Sequence, residues 1–316
     1  MFPNLVLLSG APTPIERCDA LAEAIGLRRG QLQIKRDDLT KLGVGGNKAR
    51  KLDYLVADAV ERGATTLVTG GAVQSNHVRM TAAAAAVSGL DCVAVLGGQS
   101  ASVVEGNTLL DVLFGAELVF TGDDYSDDLE VAIEQVAAER EGAYAIPLGG
   151  SNAIGALGYV QAADELSNEV PTDALIVHAE GSGGTHAGLV AGFGDHGRVM
   201  AVDVGAVRDI ANKVTDLAIE TAELAGRPKP TGLVQVLDGQ VGERYGAPTD
   251  AARSAISLVA RTAGIVLDPV YSGKAFAGLI QMAASGDLAD RPVVFVHTGG
   301  LPAIFTRRFS NWLVED

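Results

Sequence analysis

One repeated pattern restricts what this chain can fold into: short apolar, largely β-branched runs that end in paired glycines and alternate with segments of helical periodicity. The four runs lie at 66–71, 93–98, 146–150 and 293–300. Helical periodicity predicts helices at 48–61, 75–88, 127–141, 155–168, 185–193, 212–224, 250–262 and 274–284. Alternation of this kind produces mostly parallel sheets covered by helices, because right-handed crossovers return the chain to the same sheet edge. The sequence therefore predicts an α/β fold.

The paired glycines also indicate where a ligand binds. Glycine makes up 39 of the 316 residues, which is about 12% against a usual share of roughly 7%. Glycine permits tight strand-to-helix turns, and ligands of open α/β sheets bind beyond the carboxyl ends of the strands. Because the four pairs occupy the same topological position, we predict that the runs are strands ending at one ligand-binding rim.

Charge and cysteine content exclude several kinds of partner and site. The net charge of −15 repels nucleic acid and anionic membranes. The sequence contains no apolar stretch long enough to cross a bilayer, and its first residues lack a basic leader. Cys18 and Cys92 are far apart and lack metal-ligand spacing. We therefore expect a cytoplasmic protein with no disulfide, no metal site, and neither nucleic acid nor membrane as partner.

Lys48 is the strongest candidate for a reactive group. Glycines before it allow a ligand to approach the backbone, and Asn47 is expected to cap the helix whose first turn carries Lys48. The positive helix end and nearby Arg50 and Lys51 disfavour an ammonium, which predicts a lowered pKa for Lys48. A neutral lysine amine can form a Schiff base with a carbonyl, including the aldehyde of pyridoxal phosphate. Lys51 is the competing candidate, and a solvated basic helix start is the non-functional interpretation.

A second candidate site is the glycine-rich turn that follows a predicted strand at 174–178. Its residues are Gly181, Ser182, Gly183, Gly184 and Thr185. Such a turn exposes several backbone N–H groups beside the positive end of a helix, where phosphate binds. The turn lacks both the Gly-Lys-Ser/Thr of a P-loop and a clean dinucleotide fingerprint. It therefore predicts a phosphate site or, alternatively, a purely structural turn.

A third group stands at the start of the helix predicted at 75–88. Ser75 and Asn76 can bind a carboxylate or a ring hydroxyl, or can simply cap the helix. His77 has no His or Cys at metal-ligand spacing, which indicates a structural or supporting role.

Near the C-terminus, three side chains bear hydroxyl groups that a ligand can use. Tyr245 and Tyr271 are candidates for proton transfer, although packing with a bonded hydroxyl explains a lone tyrosine equally well. Thr298, at the end of the last predicted strand, can offer a neutral hydroxyl to a ligand ring.

Taken together, the motifs resemble the pyridoxal-phosphate enzymes of the D-cysteine desulfhydrase and 1-aminocyclopropane-1-carboxylate deaminase family. The most specific segments are 45–51, 74–79, 149–159 and 269–271, and the resemblance covers nearly the whole chain. It implies the tryptophan synthase β-like fold (fold type II), with two open twisted mostly parallel sheets flanked by helices. It also implies a large cofactor-binding domain of residues 1–48 and 151–316, with a small α/β domain of residues 49–150 inserted in it.

The resemblance further implies roles for the candidate residues, with pyridoxal 5'-phosphate as cofactor, a small amino acid as substrate and a homodimer as assembly. The implied catalytic residues are Lys48, Ser75, Tyr245 and Tyr271. The implied cofactor-binding residues are Lys48, Asn76, Gly181, Ser182, Gly183, Gly184, Thr185 and Thr298. The implied substrate-binding residues are Ser75, Asn76 and His77.

Within that family, the segment from Tyr271 to Lys274 bears on the substrate. Cyclopropane deaminases resemble Tyr-Glu-Gly-Lys here, with the acid facing the cofactor's pyridine nitrogen, whereas this chain has Ser272. A neutral hydroxyl does not keep that nitrogen protonated, which favours elimination of a good leaving group over ring opening. We therefore expect α,β-elimination from D-cysteine to give pyruvate, ammonia and hydrogen sulfide.

Four alternatives remain open at this stage. Three are enzymes: an L-cysteate sulfo-lyase, a 1-aminocyclopropane-1-carboxylate deaminase, and a pathway-specific carbon–sulfur lyase acting on a larger thiol conjugate. The fourth is a non-catalytic protein that binds a phosphorylated ligand.

Overall fold

The strands divide between two sheets in the computed structural model, which describes residues 5–100, 103–122 and 128–315. In chain order the strands are β1 (Ile15–Arg17), β2 (Leu32–Lys35), β3 (Thr66–Ala72), β4 (Asp91–Gly97), β5 (Glu117–Phe120), β6 (Ala143–Ala145), β7 (Leu175–Glu180), β8 (Val199–Asp203), β9 (Gln235–Leu237) and β10 (Val293–Val296). The large sheet has the order β1-β2-β10-β7-β8-β9, and the small sheet has the order β5-β4-β3-β6. Every strand pair is parallel except β1 with β2. The predicted α/β class with two mostly parallel sheets is confirmed.

Helices cover both faces of the sheets. They are α1 (Asp19–Ala24), α2 (Lys48–Glu61), α3 (Asn76–Ser88), α4 (Gly106–Leu113), α5 (Asp128–Ala138), α6 (Ala153–Glu169), α7 (Gly184–Phe193), α8 (Ile210–Leu224), α9 (Asp250–Ala263), α10 (Ser272–Ser285) and α11 (Arg307–Val314). All eight predicted helices are present, although Asp127, at the start of one prediction, lies outside the described residues. The short helices α1, α4 and α11 are additions that the periodicity of the sequence did not indicate.

The run at 146–150 is not a strand, contrary to the prediction. Strand β6 ends at Ala145, and Leu148–Gly150 form a 3-10 turn instead. Pro147 has no N–H to donate to a neighbouring strand. Gly149 and Gly150 take φ values of 66° and 60°, which lie outside the extended region. The glycines of this run therefore belong to the connection between β6 and α6.

The predicted single rim is also wrong. The pair at 70–71 lies within β3 and the pair at 97–98 lies at the end of β4, both in the small sheet, whereas the pair at 299–300 follows β10 of the large sheet. Gly71 and Gly299 nevertheless line one cleft, because the carboxyl ends of β3 and β10 face each other across it. The cleft is thus lined by the ends of strands from two sheets, an arrangement that the order of the strands along the sequence does not reveal.

The large sheet has a separate apolar layer on each face. Val177 of β7 and Phe295 of β10 pack in the layer formed with α1, α9 and α10. Ile176 and Val294, one position away on the same strands, pack in the layer formed with α6, α7 and α8. Burial on both faces accounts for the nearly continuous apolar runs in the sequence, as is typical of parallel strands.

A buried ion network joins the first strands to α2 and α6. The Arg50 guanidinium donates to both carboxylate oxygens of Asp37 at 2.9–3.0 Å and to Glu165 at 2.8 Å. Tyr159 and Thr13 donate hydroxyl hydrogens to Asp37 at 2.6 and 2.7 Å. Burial alone would raise the pKa of Asp37, but Arg50 and the two hydroxyl donors hold it below its ordinary value.

The proposed domain boundaries at residues 48–49 and 150–151 remain predictions. The small sheet uses strands between residues 66 and 145 only. Helix α2, however, belongs to the apolar layer of the small sheet through Leu52 and Leu55, while Arg50 binds to residues beside the large sheet. The same helix therefore contacts both proposed domains.

Asp37→Asn should lower the free energy of unfolding by about 3–5 kcal/mol, because it leaves Arg50 without one of its buried carboxylates. Asp164→Asn is the matched control: it removes a carboxylate that also binds an arginine, Arg227, but is 52% exposed. The control should cost under about 1 kcal/mol. Urea unfolding measures both. The Asp37→Asn effect should shrink on acidification, since a lowered folded-state pKa loses its contribution as pH falls. Equal losses of unfolding free energy in the two variants at neutral pH would contradict this account.

Candidate active site

The cleft between the two sheets collects nearly every residue predicted to act on a ligand. The predicted residues that line it are Lys48, Ser75, Asn76, His77, Gly181, Ser182, Gly183, Thr185, Tyr245, Tyr271 and Thr298. Gly184 is the exception, because its N–H donates to Ser151 Oγ at 3.3 Å behind the turn. The structure therefore brings together residues that lie as far apart in sequence as Lys48 and Thr298.

Asn47 fixes the start of α2 by contacts different from the predicted cap. Its backbone is already helical, with φ −59° and ψ −23°, and its side chain accepts no hydrogen bond from the helix backbone. The side-chain amide instead donates to Thr185 Oγ1 at 3.0 Å, and its oxygen accepts a hydrogen bond from Lys48 Nζ at 3.0 Å. The Asn47 N–H donates to the Thr298 carbonyl at 3.0 Å. Asn47 thus ties the lysine to both α7 and the end of β10.

Lys48 has a lowered pKa, as predicted, but for a different reason. Burial, the largest cause, and the positive charge of Arg79 together lower its pKa from 10.5 to about 8, against the opposing effect of Glu180 and Asp268. Arg50, one of the expected causes, is neutralised by Asp37 and Glu165. With a pKa of about 8, roughly a tenth of the amine is neutral at pH 7. A usable fraction of Lys48 is therefore nucleophilic.

Lys51 is placed less favourably for reaction. It is 1% exposed, does not line the cleft, and donates to the Gly149 carbonyl at 3.0 Å and to Ser151 Oγ at 2.9 Å. Burial and the charge of Lys48 lower its pKa as well. Its position behind the turn at 181–185 makes Lys51 a support for that turn, whereas Lys48 faces the cleft.

The turn at 181–185 presents backbone donors to the cleft. Gly183 has φ +91°, a left-handed conformation that favours glycine, and it precedes the first residue of α7. The first N–H groups of an α-helix have no acceptor within the helix, so they are available to an anion. Ser182 Oγ lies 2.7 Å from Ser151 Oγ, which anchors the turn to the segment before α6.

The start of α3 presents the opposite wall of the cleft. Ser75 caps the helix by accepting a hydrogen bond from Val78 N at 3.3 Å, and Asn76 Oδ1 accepts one from Asn107 Nδ2 at 2.9 Å. The His77 ring is buried with Nε2 2.9 Å from Thr69 Oγ1, and burial keeps its pKa well below the usual range. His77 is therefore neutral and held against β3.

Two tyrosine hydroxyls meet at the outer end of the cleft. Tyr245 and Tyr271 form a short hydroxyl–hydroxyl hydrogen bond. Burial raises the pKa of Tyr245, and the hydrogen bond from Tyr271 opposes that shift. Asp268, fully buried, accepts from the backbone N–H groups of Val270, Tyr271 and Ser272 at 2.7–2.9 Å. Asp268 therefore fixes the turn from which Tyr271 projects.

Ser272 does not face the cleft. It is fully buried, and its hydroxyl donates to Asp268 at 2.6 Å. The neutral hydroxyl that lines the cleft from this side belongs to Thr298 instead. Ser272 in place of the deaminase Glu is therefore a difference in the motif, but its own hydroxyl is not available to a ligand. The hydroxyl available to a ligand ring is that of Thr298, at the end of β10.

Several residues important to the cleft were missed at the sequence level. Arg79 lowers the pKa of Lys48 while its guanidinium donates to the Gly45 carbonyl at 3.0 Å. Asp268, Ser151 and Asn107 orient the tyrosine turn, the turn at 181–185 and Asn76, respectively. Arg79 lay within a motif already singled out, but its burial and its distance from Lys48 follow only from the packing of α3 against α2.

Sequence reasoning also missed a buried cluster of potential metal-ligating residues. One ligand atom from each of His178, Glu180 and His186 lies within 4.8 Å of the others, on β7 and α7. His186 Nδ1 and Glu180 Oε2 are 2.7 Å apart. The residues are adjacent only because a strand and the following helix fold together, so metal-ligand spacing in the sequence gave no signal.

Comparisons with known proteins place this geometry in context. A family model described as "Pyridoxal-phosphate dependent enzyme" matches residues 6–299. The D-cysteine desulfhydrases of Yersinia pestis (strain Pestoides F) and Salmonella newport (strain SL254) are each 41% identical over 319 residues, covering 96% of this chain and 96% of the relative.

Two solved structures are also similar to this chain. An ACC deaminase homologue superposes with a TM-score of 0.90 at 38% identity, covering 99% of this chain and 96% of that one. Threonine deaminase isoform 2 from Solanum lycopersicum has a TM-score of 0.69 at 15% identity, covering 96% of this chain and 87% of that one, and shows the shared fold alone.

Arg79→Met should raise the pKa of Lys48 above about 8, because burial remains while the repulsion from Arg79 disappears. In cofactor-free protein, the rate of Lys48 acetylation by limiting acetic anhydride, followed by mass spectrometry, should then reach half its maximum at a higher pH. Arg79→Lys keeps the charge and should stay near the wild-type curve. Arg62→Met, which removes an arginine whose side chain is 64% exposed, is the control. Coincident curves for Arg79→Met and wild type would refute the assignment.

Proposed function

The chain belongs to the pyridoxal-phosphate dependent enzymes, as the resemblance of its motifs predicted, and from that premise we propose that it converts D-cysteine to pyruvate, ammonia and hydrogen sulfide. The reaction is an α,β-elimination by a carbon–sulfur lyase. The observation that carries the proposal is the arrangement of Lys48: a partly neutral amine that faces a cleft between a helix N-terminus and a tyrosine pair. The similarity to D-cysteine desulfhydrases supports the choice of substrate.

The cleft has the donor set that pyridoxal phosphate requires. The amides at 181–185, next to the left-handed Gly183, suit the phosphate. Lys48 would supply the amine for the aldehyde, Asn76 would suit the ring hydroxyl, and the neutral hydroxyl of Thr298 would suit the ring nitrogen. When bound, the cofactor supplies an electron sink that stabilises negative charge at the substrate's α-carbon.

Lys48 Nζ is the base in this proposal. The lowered pKa of Lys48 leaves part of its amine neutral and able to accept the proton from the substrate's α-carbon. Asn47 Oδ1, 3.0 Å from Nζ, limits where the amine can lie. Positioning by a buried amide contributes to the rate, because it removes unproductive orientations of the base.

The start of α3 orients the substrate carboxylate. Ser75 and Asn76 begin the helix, and the positive end of a helix stabilises a carboxylate. Asn107 holds the Asn76 side chain at 2.9 Å. The carboxylate on one side and the cofactor phosphate on the other would fix which substrate bond stands opposite Lys48.

The tyrosine pair serves the leaving group. The hydroxyls of Tyr245 and Tyr271 are hydrogen-bonded to each other, so one can give its proton to the departing sulfur while the other donates a hydrogen bond to the phenolate that remains. Asp268 keeps Tyr271 in place, because its carboxylate accepts a hydrogen bond from the Tyr271 backbone N–H.

A neutral hydroxyl at Thr298 favours elimination over ring opening, because it leaves the pyridine nitrogen a weaker electron sink than a carboxylate would. Cyclopropane deamination is therefore ranked below D-cysteine. L-cysteate lysis is also an elimination and is ranked below D-cysteine only on the similarity to D-cysteine desulfhydrases; the substrate assay below distinguishes all three.

Assembly and location are part of the same proposal. We propose a homodimer in the cytoplasm. Cys18 and Cys92 are both free and buried, as suits a reducing compartment. Among the described residues, none of the helices has the length and apolar character needed to span a membrane.

D-cysteine should give equal amounts of pyruvate, ammonia and sulfide with the purified holoenzyme. The alternative substrates L-cysteine, L-cysteate and 1-aminocyclopropane-1-carboxylate should react at least about tenfold more slowly. A tenfold preference requires a difference of only about 1.4 kcal/mol in activation free energy. Coupled assays for pyruvate and 2-oxobutyrate, with sulfide and sulfite measured separately, identify the products. Faster formation of 2-oxobutyrate from the cyclopropane acid would overturn the substrate choice.

Tyr271→Phe should lower kcat for D-cysteine by about 10²-fold or more, the usual contribution of a general acid. The loss should be much smaller with 3-chloro-D-alanine, because chloride leaves without a proton. Steady-state kinetics with both substrates separate the two effects. Tyr245→Phe removes the partner hydroxyl while retaining the ring, so it shows which tyrosine donates. A loss at Tyr271 that is identical for both substrates contradicts a role in protonating sulfur.

A further inference from the structure

The cleft opens past the tyrosine pair into a much larger space, here named the entrance chamber. Asn76, Tyr245 and Tyr271 line both spaces, so they are continuous. The chamber measures about 1000 Å³ and is lined among others by Gln74, Gln99, Arg208, Arg244, Arg308 and Phe309. That volume is at the upper end of the range for pockets that hold drug-sized ligands. The thiol of cysteine, a single sulfur atom, leaves it almost entirely unused.

Three arginines from separate segments line this chamber, and two of them, Arg244 and Arg308, lie close together and form a positive wall. Arg208 follows β8, Arg244 follows β9, and Arg308 stands in the first turn of α11. Arg308 Nη2 donates to the carbonyl of Gly246, another lining residue, at 3.2 Å. Neither Arg244 nor Arg308 forms an ion pair with any carboxylate in the described part of the chain. A convergence of arginines is unexpected in a protein of net charge −15, which has 39 acidic residues against 24 basic ones.

The two arginines also repel each other. Burial lowers the pKa of Arg308, and the nearby charge of Arg244 lowers it further. Like charges held together without a counterion destabilise a folded protein, and an anion bound between them relieves that repulsion. Guanidinium groups bind carboxylates through two parallel hydrogen bonds, so this wall suits a carboxylate.

Among the described residues that line the chamber, no carboxylate forms an ion pair with Arg244 or Arg308. Asp268 is turned inward to the backbone of the tyrosine turn. Glu105 instead accepts from Arg307 N at 3.1 Å, and Asp128 begins α5.

We propose that the entrance chamber receives an anionic arm carried on the sulfur of the substrate, so that the enzyme cleaves S-conjugates of cysteine whose substituent ends in a carboxylate. This inference rests on the proposed elimination and extends its substrates from free cysteine to S-conjugates. The geometry supports it because the tyrosine pair, which serves the leaving sulfur, lies at the junction of cleft and chamber. A substituent on that sulfur extends outward toward Arg244 and Arg308.

The reaction on such a conjugate balances without an added oxidant or reductant. The Cα–H and Cβ–S bonds break, the sulfur leaves with its electron pair and takes a proton, and water hydrolyses the remaining enamine. An S-conjugate R–S–CH₂–CH(NH₃⁺)–COO⁻ with one water thus gives the thiol R–SH, pyruvate and ammonium. The thiol keeps the anionic arm.

The test compares two conjugates of the same length on the holoenzyme: S-(2-carboxyethyl)cysteine and its neutral amide, S-(2-carbamoylethyl)cysteine, each in the enantiomer that the enzyme prefers. The carboxylate should have a kcat/KM at least tenfold above the amide in the wild-type enzyme. In Arg244→Gln/Arg308→Gln the ratio should fall to near one. Arg307→Gln, which removes a neighbouring arginine that does not line the chamber, should keep the wild-type ratio. A wild-type ratio near one, or an unchanged ratio in the double variant, overturns the proposal.

Binding of an inert ligand separates this inference from the proposed reaction. The α-methyl form of the carboxyethyl conjugate has no proton to lose at the α-carbon, so it binds without elimination. Calorimetry should give a Kd at least tenfold weaker for the double variant than for wild type, with Arg307→Gln unchanged. That result in a protein that releases no thiol from any conjugate would support the chamber while refuting the elimination. Equal affinities for wild type and double variant would refute the chamber, whatever the activity.

Discussion

The buried pairing of Arg50 with Asp37 and Glu165 is the interaction on which the site depends. Arg50 lies two residues after Lys48 on α2, and its guanidinium fixes that helix to the first strands and to α6. The backbones of α2 and α6 are also in close contact, because a Cβ at Gly158 would lie only 2.1 Å from the Arg50 carbonyl oxygen. Because a buried ion pair tolerates little displacement, the position of Lys48 is set by residues that never touch a ligand.

Two further conditions turn that position into a reactive amine. Asn47 connects Lys48 to the Thr185 hydroxyl on α7 and to the Thr298 carbonyl beyond β10, so the lysine, the start of α7 and the end of β10 share one set of hydrogen bonds. Burial and the charge of Arg79 then lower the pKa of Lys48. An acidic protein can therefore hold an anionic cofactor, because its net charge describes the surface while the cleft is governed by helix ends and buried cations.

Local pattern predicted most of the fold, and packing decided the rest. The bounds of α2 follow directly from its periodicity, and both faces of β7 are buried as its apolar run indicated. The run at 146–150 was misleading because apolar residues before two glycines also suit a 3-10 turn after Pro147. At the site, Lys48 and the turn at 181–185 could be predicted from the residues themselves. Arg79, Asp268 and the three chamber arginines could not, since their roles arise from residues distant in sequence.

The central claim is that Lys48, rather than Lys51, carries the cofactor, and one measurement tests it directly. Borohydride reduction of the native holoenzyme converts a lysine-bound pyridoxal phosphate to a stable secondary amine, and tandem mass spectrometry of the resulting peptides locates it. The structure predicts the adduct on Lys48 alone, because Lys51 donates to Gly149 and Ser151 behind the turn and does not reach the cleft. An adduct on Lys51, or none on either lysine, would contradict the account.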